Sequence, residues 1–180
     1  MPPSPVRSVD QVRAAIRRML LVIVVALAPA LFQVVAPAET AAIVRRADTL
    51  AVTEWDVLSE VNRVRRAHGL DPLRMVSPVG DVARERSASM KRLDYFGHTS
   101  PTGRDAGDLL SSRGVRYRSW GEAIGRTWRM ALGAGGRWVV DWWMHSPVHR
   151  GLLLEPRFEA AGVGIARDRG RTLWTIVLVS

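Results

Sequence analysis

The stretch A-A-G-V-G-I-A-R-D-R-G-R-T-L-W-T-I-V-L-V, residues 160–179, decides the fold of this chain. In A-G-V-G-I-A, residues 161–166, glycine alternates with Val163 and Ile165, which is the pattern of a strand. Residues 172–179 are mostly apolar and β-branched, as expected of a buried strand. The residues between them, with Asp168 and Gly170, are typical of a hairpin loop. We therefore predict an antiparallel β-hairpin at this end of the domain.

The residues before this hairpin are mainly helical in pattern. Apolar residues at helical spacing predict a helix that begins with a capping box at Thr53 and Asp56 and ends at Gly69. The remaining predicted elements are helices over residues 77–95, 105–113 and 137–145, a strand over 115–120, and a flexible break at 133–136. Because helices come first and a hairpin last, a mixed α+β domain with an antiparallel sheet is indicated.

Residues 1–38 have the features of a targeting segment. Four arginines precede a run of apolar residues, and an A-x-A pattern at 36–38 would allow cleavage before Glu39. The alternative is an uncleaved membrane anchor, because residues 19–38 contain one polar residue, although two prolines interrupt them. Either way, the positive flank places the following domain outside the membrane. We predict a signal peptide or anchor (1–38), a linker or helical stalk (39–52) and one domain (53–180).

Composition limits the function further. The chain of 180 residues has no cysteine, which excludes both a disulfide framework and a thiol nucleophile. Its 26 basic and 17 acidic residues give a formal charge of +9, of which +6 remains without residues 1–38. That excess favours anionic lipid or cell-wall polymer as a partner, and the alternative is an arginine-rich solvated surface. The arginines are spread along the chain without a nucleic-acid-binding motif, so we predict no nucleic-acid partner.

Three residues are candidates for a functional site. His98 lies in the turn G-H-T-S-P, and Glu122 follows the predicted strand. His149 falls in the first turn of a helix started by Ser146 and Pro147, where the helix dipole disfavours the imidazolium form. Two histidines and a carboxylate can form a zinc site with an open fourth position, or a polar cluster without metal. Each residue also has an ordinary structural interpretation, as a loop histidine, a strand-end glutamate or a carbonyl-bonded histidine.

Other catalytic patterns are not supported. Ser100 and Ser146 both precede prolines, where hydroxyls usually form caps and turns, and neither lies in G-x-S-x-G. The chain has no H-E-x-x-H, and Pro147 makes a shared helix face for His145 and His149 unfavourable. We assign no catalytic residue and leave His145 outside the site.

Several short motifs follow one another in a specific order. They are V-N-R-V-R-R-A-H-G-L-D-P-L (61–73), A-R-E-R-S-A-S-M (83–90), Y-F-G-H-T-S-P-T-G-R (95–104), W-G-E-A-I-G (120–125), W-M-H-S-P-V-H-R (143–150), L-E-P-R-F (154–158) and G-V-G-I-A (162–166). This order resembles the bacterial branch of the CAP superfamily, named for cysteine-rich secretory proteins, antigen 5 and pathogenesis-related proteins and also called the SCP domain. The resemblance covers about residues 54–180. It implies a three-layer α-β-α sandwich with a mainly antiparallel central sheet.

The resemblance also implies an open cleft lined by His98, Glu122 and His149. Many family members have two histidines and two acidic residues there, and some hold a divalent cation. The resemblance therefore makes these three residues candidate ligands of a divalent cation such as zinc. Asp141 and Glu155 are candidates for the fourth position, although neither matches a motif. At two positions where the family often has asparagine, this chain has Ala123 and Leu152, which predicts weaker polar support around the cleft.

The family supplies no common reaction, so function is predicted from the site. We expect an exported, non-enzymatic binding or interaction module, either secreted or anchored at the outer face of the membrane. Its cleft would take a small apolar ligand, a peptide or a cell-envelope component. One alternative is a metal-dependent hydrolase acting on peptide or envelope substrates, with Glu122 as a ligand or base. Another is a purely structural envelope-interaction module.

Overall fold

The computed structural model describes residues 37–180, with side chains described for all of these except residues 37–41, 44 and 46–48. The predicted signal peptide or anchor therefore lies outside the described residues, apart from its last two. By its internal contacts the chain divides into residues 1–43 and 44–180. In the part of the chain that is described, no helix is both long and apolar enough to cross a bilayer.

Helices and strands alternate irregularly along the domain. In chain order they are α1 (Pro37–Ala67), β1 (Arg74–Met75), α2 (Ser77–Arg92), α3 (Ala106–Ser112), β2 (Trp120–Trp128), α4 (Leu132–His145), α5 (Pro147–Leu153), β3 (Ala160–Asp168) and β4 (Arg171–Val179). The strands form one sheet in the order β1-β3-β4-β2. β4 pairs antiparallel with both β2 and β3, whereas the two-residue β1 pairs parallel with β3. The mainly antiparallel sheet is confirmed, and its short first strand makes it mixed.

The terminal hairpin, β3 and β4, forms the centre of this sheet. Its register runs from the pair Asp168 and Arg171 at the turn to the pair Ala160 and Val179 at the other end. Arg169 and Gly170 form the two-residue turn, with φ angles of 45° and 85°. Two consecutive positive φ angles match the right-handed twist of the flanking strands. The predicted hairpin is therefore confirmed.

The two faces of the sheet carry two separate apolar clusters. On one face, Val163, Ile165 and Trp174 pack with residues of α1, α4 and α5. On the other face, Val177 and Val179 pack with residues of α2 and α3. Because successive side chains of a strand point to opposite faces, both helical layers are held by the same two strands. This arrangement is the three-layer α-β-α sandwich expected from the sequence.

Glycines set the distance between β3 and α2. A Cβ atom placed on Gly162 would overlap backbone atoms of Val79 and Gly80, and one on Gly164 would overlap backbone atoms of Ala83 and Arg84. Glycine therefore alternates with large residues in β3 because one face meets a helix backbone directly.

Two predicted element boundaries are wrong. α1 begins at Pro37 rather than at Thr53, and the Thr53 hydroxyl donates to the Thr49 carbonyl within the helix instead of capping it (2.8 Å). In the predicted strand over residues 115–120, residues 115–119 form a loop, and β2 starts only at Trp120. Trp120 pairs with Val179, the last residue of β4, so the partner strand ends where β2 begins.

The predicted flexible break at residues 133–136 is also wrong, because these residues form the first turn of α4. Gly135 and Gly136 are buried, and a Cβ atom on Gly135 would lie 2.8 Å from the Trp174 indole. The glycines thus allow close packing of α4 on the sheet, and this tertiary contact overrides their low helix propensity.

A buried arginine ties α1 to the segment after α5. The Arg65 side chain is 1% exposed, and its guanidinium donates to backbone carbonyls of Asp71, Leu153 and Glu155 at 2.8–3.0 Å. One of these acceptors is the carbonyl of the last α5 residue, which has no partner within its own helix. Arg65 therefore fixes the end of the helix that carries His149.

Candidate functional site

The candidate residues lie around one end of β2, an edge strand of the sheet. Glu122 in β2 contacts α2, which belongs to one helical layer. The preceding residue, Gly121, faces Leu152 of α5 in the other layer. His98 follows α2 in the chain, and His149 lies in α5. An edge strand can be approached from both layers, so the fold brings the three motifs to the same region.

Glu122 is buried, with its side chain 2% exposed, and Arg86 is its main partner. Arg86 Nε donates to Glu122 Oε1 at 2.7 Å, and its Nη2 lies 3.4 Å from Oε2. A buried carboxylate is costly without a charged partner, and Arg86, itself 1% exposed, provides one. Glu122 therefore lies inside β2 as half of a buried ion pair, not at a strand end facing water.

Arg86 also organises the loop that carries His98. Its Nη1 donates to the Tyr95 hydroxyl at 2.8 Å, and its Nη2 donates to the carbonyls of Gly97 and His98 at 2.8 and 2.7 Å. The fixed fork of the guanidinium thus binds the carboxylate and the loop backbone together. The position of His98 depends on an arginine in a different element.

His98 meets the same carboxylate. Its Nδ1 lies 2.7 Å from Glu122 Oε2, while the side chain remains 56% exposed. The hydrogen bond to Glu122 raises the pKa of His98, and partial burial opposes this effect. His98 is therefore an exposed imidazole whose protonated form is favoured by a carboxylate behind it.

His149 has the opposite electrostatic environment. Its Nδ1 is buried, and no described residue gives it a hydrogen-bond partner. Burial lowers the pKa of His149, and the positive charge of His98 lowers it further. The neutral imidazole expected from the sequence agrees with this direction, with burial as the largest cause. The two histidines influence each other, and their preferred protonation states differ.

An aromatic surface lies beside His149, formed by Trp138, Trp142 and His149 itself. The Trp142 ring centroid is 5.2 Å from the imidazole, and the Trp138 and Trp142 rings lie 6.4 Å apart with an interplanar angle of 11°. Both tryptophans remain more than 40% exposed. Stacked exposed indoles offer a large rigid contact area, which is typical of binding sites.

The metal role considered for the three residues depends on which of their side-chain atoms are already hydrogen-bonded. Among the described residues, no group of three histidine, aspartate or glutamate side chains is placed to hold a metal ion. Both Glu122 oxygens are engaged by Arg86 and His98, and His98 Nδ1 is engaged by Glu122. Glu122 is therefore not free to act as a third ligand in this arrangement, the metal role of the three residues stays a prediction, and we derive no step through a metal.

The residues considered for the fourth position have their ion-pair partners outside this cluster. Asp141 is 72% exposed beside His145, and Glu155 bonds to Arg157. The two positions where asparagine was expected are apolar contacts: Ala123 is fully buried in the core, and Leu152 packs against Gly121. The polar support of the site comes from Arg86 instead.

The two serines that precede prolines lie in a loop and at the start of a helix. Ser100 is buried and its hydroxyl lies 3.0 Å from Thr102 Oγ1 and from the Arg104 amide, which donates to it. Ser146 is the N-cap residue of α5, although its side chain makes no capping hydrogen bond. Neither hydroxyl is bonded to an imidazole among the described side chains.

Sequence reasoning missed Arg86, which connects the site. The signal was present, because Arg86 shares the buried helical face of Val79, Val82 and Met90. A charged residue within an apolar stripe implies a buried partner of opposite charge. The motif A-R-E-R-S-A-S-M contains this residue, but nothing in the motif itself indicates which carboxylate pairs with it.

Comparison with known proteins places this geometry in a family. Residues 58–179 match the sequence profile of the cysteine-rich secretory protein family, CAP. The uncharacterised protein YkwD of Bacillus subtilis (strain 168) is 32% identical over 127 residues, which cover 71% of this chain and 47% of YkwD. The chain thus matches less than half of this relative's length.

Two solved structures share the fold. An extracellular protein containing an SCP domain from Bacillus anthracis superposes with a TM-score of 0.62 at 28% identity, covering 72% of this chain and 40% of that one. An outer surface protein of Borrelia burgdorferi superposes with a TM-score of 0.62 at 17% identity, covering 71% of this chain and 94% of that one. The family match spans most of the described domain, and the sandwich agrees with it, so the chain belongs to the cysteine-rich secretory protein (CAP) family.

Proposed function

We propose that this chain is an exported, non-enzymatic binding module that takes its ligand on the aromatic surface, with His98 nearby. The observation that carries the proposal is the exposed, stacked pair Trp138 and Trp142 in contact with His149. Exposed aromatic groups of this kind contribute most of the binding free energy in many interfaces. Among the described residues the buried Nδ1 of His149 has no hydrogen-bond partner, and a buried polar atom of this kind is compatible with a role in binding.

The surroundings of Glu122 support binding over hydrolysis. A general base must reach the proton that it abstracts. Glu122 is almost fully buried and already accepts hydrogen bonds from Arg86. It acts in this proposal as the support for His98, and the hydrolase alternative gains no observation from the described residues.

The aromatic surface suits ligands with an apolar face. Indole rings pack against aliphatic chains, apolar peptide side chains or the apolar faces of sugar rings. A small apolar ligand, a peptide or a cell-envelope component fits this description. Without the four arginines and one aspartate of residues 1–38, the chain keeps 22 basic and 16 acidic residues, a formal charge of +6 that favours association with an anionic envelope by long-range attraction.

Export is proposed from two observations. Residues 1–38 contain a basic region, an apolar run and an A-x-A pattern, as signal peptides do. The Bacillus anthracis structure is described as that of an extracellular protein, and the Borrelia burgdorferi neighbour as an outer surface protein. We propose that the domain is secreted or held at the outer face of the membrane.

Tryptophan fluorescence tests the binding role. The full chain would be titrated with three soluble probes: oleate, a mixed-sequence decapeptide and an N-acetylglucosamine tetrasaccharide. We expect saturable binding of at least one probe, weakened about tenfold or more by Trp142→Ala and by His149→Ala, because anchor residues cost more than 1 kcal/mol when truncated.

Trp55→Ala is the matched control, since Trp55 is 57% exposed but lies in α1. This variant should bind like the wild type. The proposal fails if no probe saturates, or if Trp55→Ala weakens binding as much as Trp142→Ala does. Circular dichroism of each variant separates a lost contact from a lost fold.

A further inference from the structure

Arg86 also lines a cavity whose lining does not include the residues of the aromatic surface. Its volume is about 210 Å³, and it lies between the C-terminal half of α2 and the loop after it. Pockets that bind drug-sized ligands have volumes of about 300–1,000 Å³, so this smaller cavity suits a small chemical group. Its polar lining residues are Glu85, Arg86, Ser89, Arg92, Ser100, Thr102 and Arg104.

The charges around this cavity are not balanced. Arg86 pairs with Glu122, and Glu85 pairs with Arg113. Arg92 and Arg104 form no ion pair with any described residue, although both line the same cavity. Arg92 and Arg104 are both exposed, and the carboxylate in the lining, Glu85, is already paired with Arg113, so the positive charge of the two arginines is not offset by an ion pair among the described residues.

Hydroxyl groups complete the lining. Ser89 and Ser100 are each 8% exposed, and Thr102 lies next to Ser100. The loop holds its own shape, since the Ser100 amide donates to the Arg104 carbonyl at 2.8 Å and the Ser100 hydroxyl accepts from the Arg104 amide at 3.0 Å. The hydroxyl and backbone groups of this loop are thus in place before any ligand arrives, which lowers the entropic cost of binding.

We propose that this cavity binds a phosphate group. Guanidinium groups match the geometry of phosphate oxygens and bind them through paired hydrogen bonds, and hydroxyls supply further donors. Planar carboxylates use only two oxygens, whereas a phosphate has oxygens for both arginines and for the hydroxyls at once. The phosphate would come either from a free phosphomonoester or from a phosphodiester, such as a lipid headgroup or an envelope polymer.

Nuclear magnetic resonance of the full chain tests this proposal. The probes are inorganic phosphate, glycerol 3-phosphate and glycerophosphoglycerol, added at constant ionic strength. We expect saturable shifts of the Ser100, Thr102 and Arg104 amides. Tighter binding of glycerol 3-phosphate identifies a phosphomonoester source, and tighter binding of glycerophosphoglycerol identifies a phosphodiester source.

The double variant Arg92→Gln with Arg104→Gln should weaken phosphate binding about tenfold or more, because charge-assisted hydrogen bonds to both arginines are lost. Arg45→Gln with Arg116→Gln removes the same charge from exposed positions outside the cavity and should leave binding unchanged. Equal weakening by both double variants, or shifts scattered over the whole surface, would overturn the proposal. Since neither cavity arginine contacts the aromatic surface, this result is independent of the probes used for the proposed function.

Discussion

Replacing Arg86 by methionine should lower the free energy of unfolding by about 3–5 kcal/mol, the cost of leaving one member of a buried ion pair without its partner. Glu122 would remain buried, with its side chain 2% exposed and its main donor removed. The same change releases the loop carbonyls of Gly97 and His98 from their donor. Urea unfolding followed by tryptophan fluorescence measures the effect.

An exposed ion pair is the appropriate control. Arg113→Gln removes the partner of Glu85, where both side chains are about one-third exposed, and should cost less than about 1 kcal/mol. Replacing Arg86 and Glu122 together by methionine should recover part of the stability, because no uncompensated charge remains. A double variant less stable than either single variant would argue against a buried pair.

Gly164→Ala should destabilise the domain by about 3 kcal/mol or more, at the upper end of the cost of overpacking. The added methyl group would overlap backbone atoms of Ala83 and Arg84, which cannot rotate away as a side chain can. β3 and α2 would have to separate, and this contact holds one layer of the sandwich on the sheet. The melting temperature and urea midpoint of the variant report the loss.

Gly151→Ala separates this steric effect from a general effect of the substitution. Gly151 lies in the exposed part of α5, and nothing lies within 4 Å of a Cβ atom placed there. Alanine favours a helix over glycine by about 0.5–1 kcal/mol, so this variant should be as stable as the wild type or slightly more so. If Gly164→Ala behaved like Gly151→Ala, the close approach of β3 to α2 would be refuted.

The hairpin and the helical layers could be predicted because their signals are local. Val163 and Ile165 alternate with glycine, and the turn at Gly170 lies between two apolar strands. The start of α1 and the helical state of Gly135 could not be predicted in the same way. Gly135 is helical because it packs against Trp174, almost 40 residues away in sequence, and no local pattern contains that contact.

The sequence predicts three residues of the candidate site but not the arginine that joins two of them. The motifs pointed to His98, Glu122 and His149, and the structure places Glu122 in contact with His98. The residue that joins them, Arg86, was hidden within an apolar helix face, because its role depends on a carboxylate 36 positions later. Successive side chains of β2 point to opposite helical layers, so the layer that Glu122 faces depends on where the strand begins. The sequence predicts the start of this strand incorrectly.

The central claim is that Glu122, paired with Arg86, supports an exposed His98. The pH titration of the His98 ring, followed by NMR in the wild type and in Glu122→Gln, tests it most directly. The hydrogen bond to Glu122 raises the pKa of His98, so the wild-type midpoint should lie above the value of about 6.5 for a free histidine side chain and should fall in the variant. A wild-type midpoint at or below that value, or one that Glu122→Gln leaves unchanged, would contradict the account.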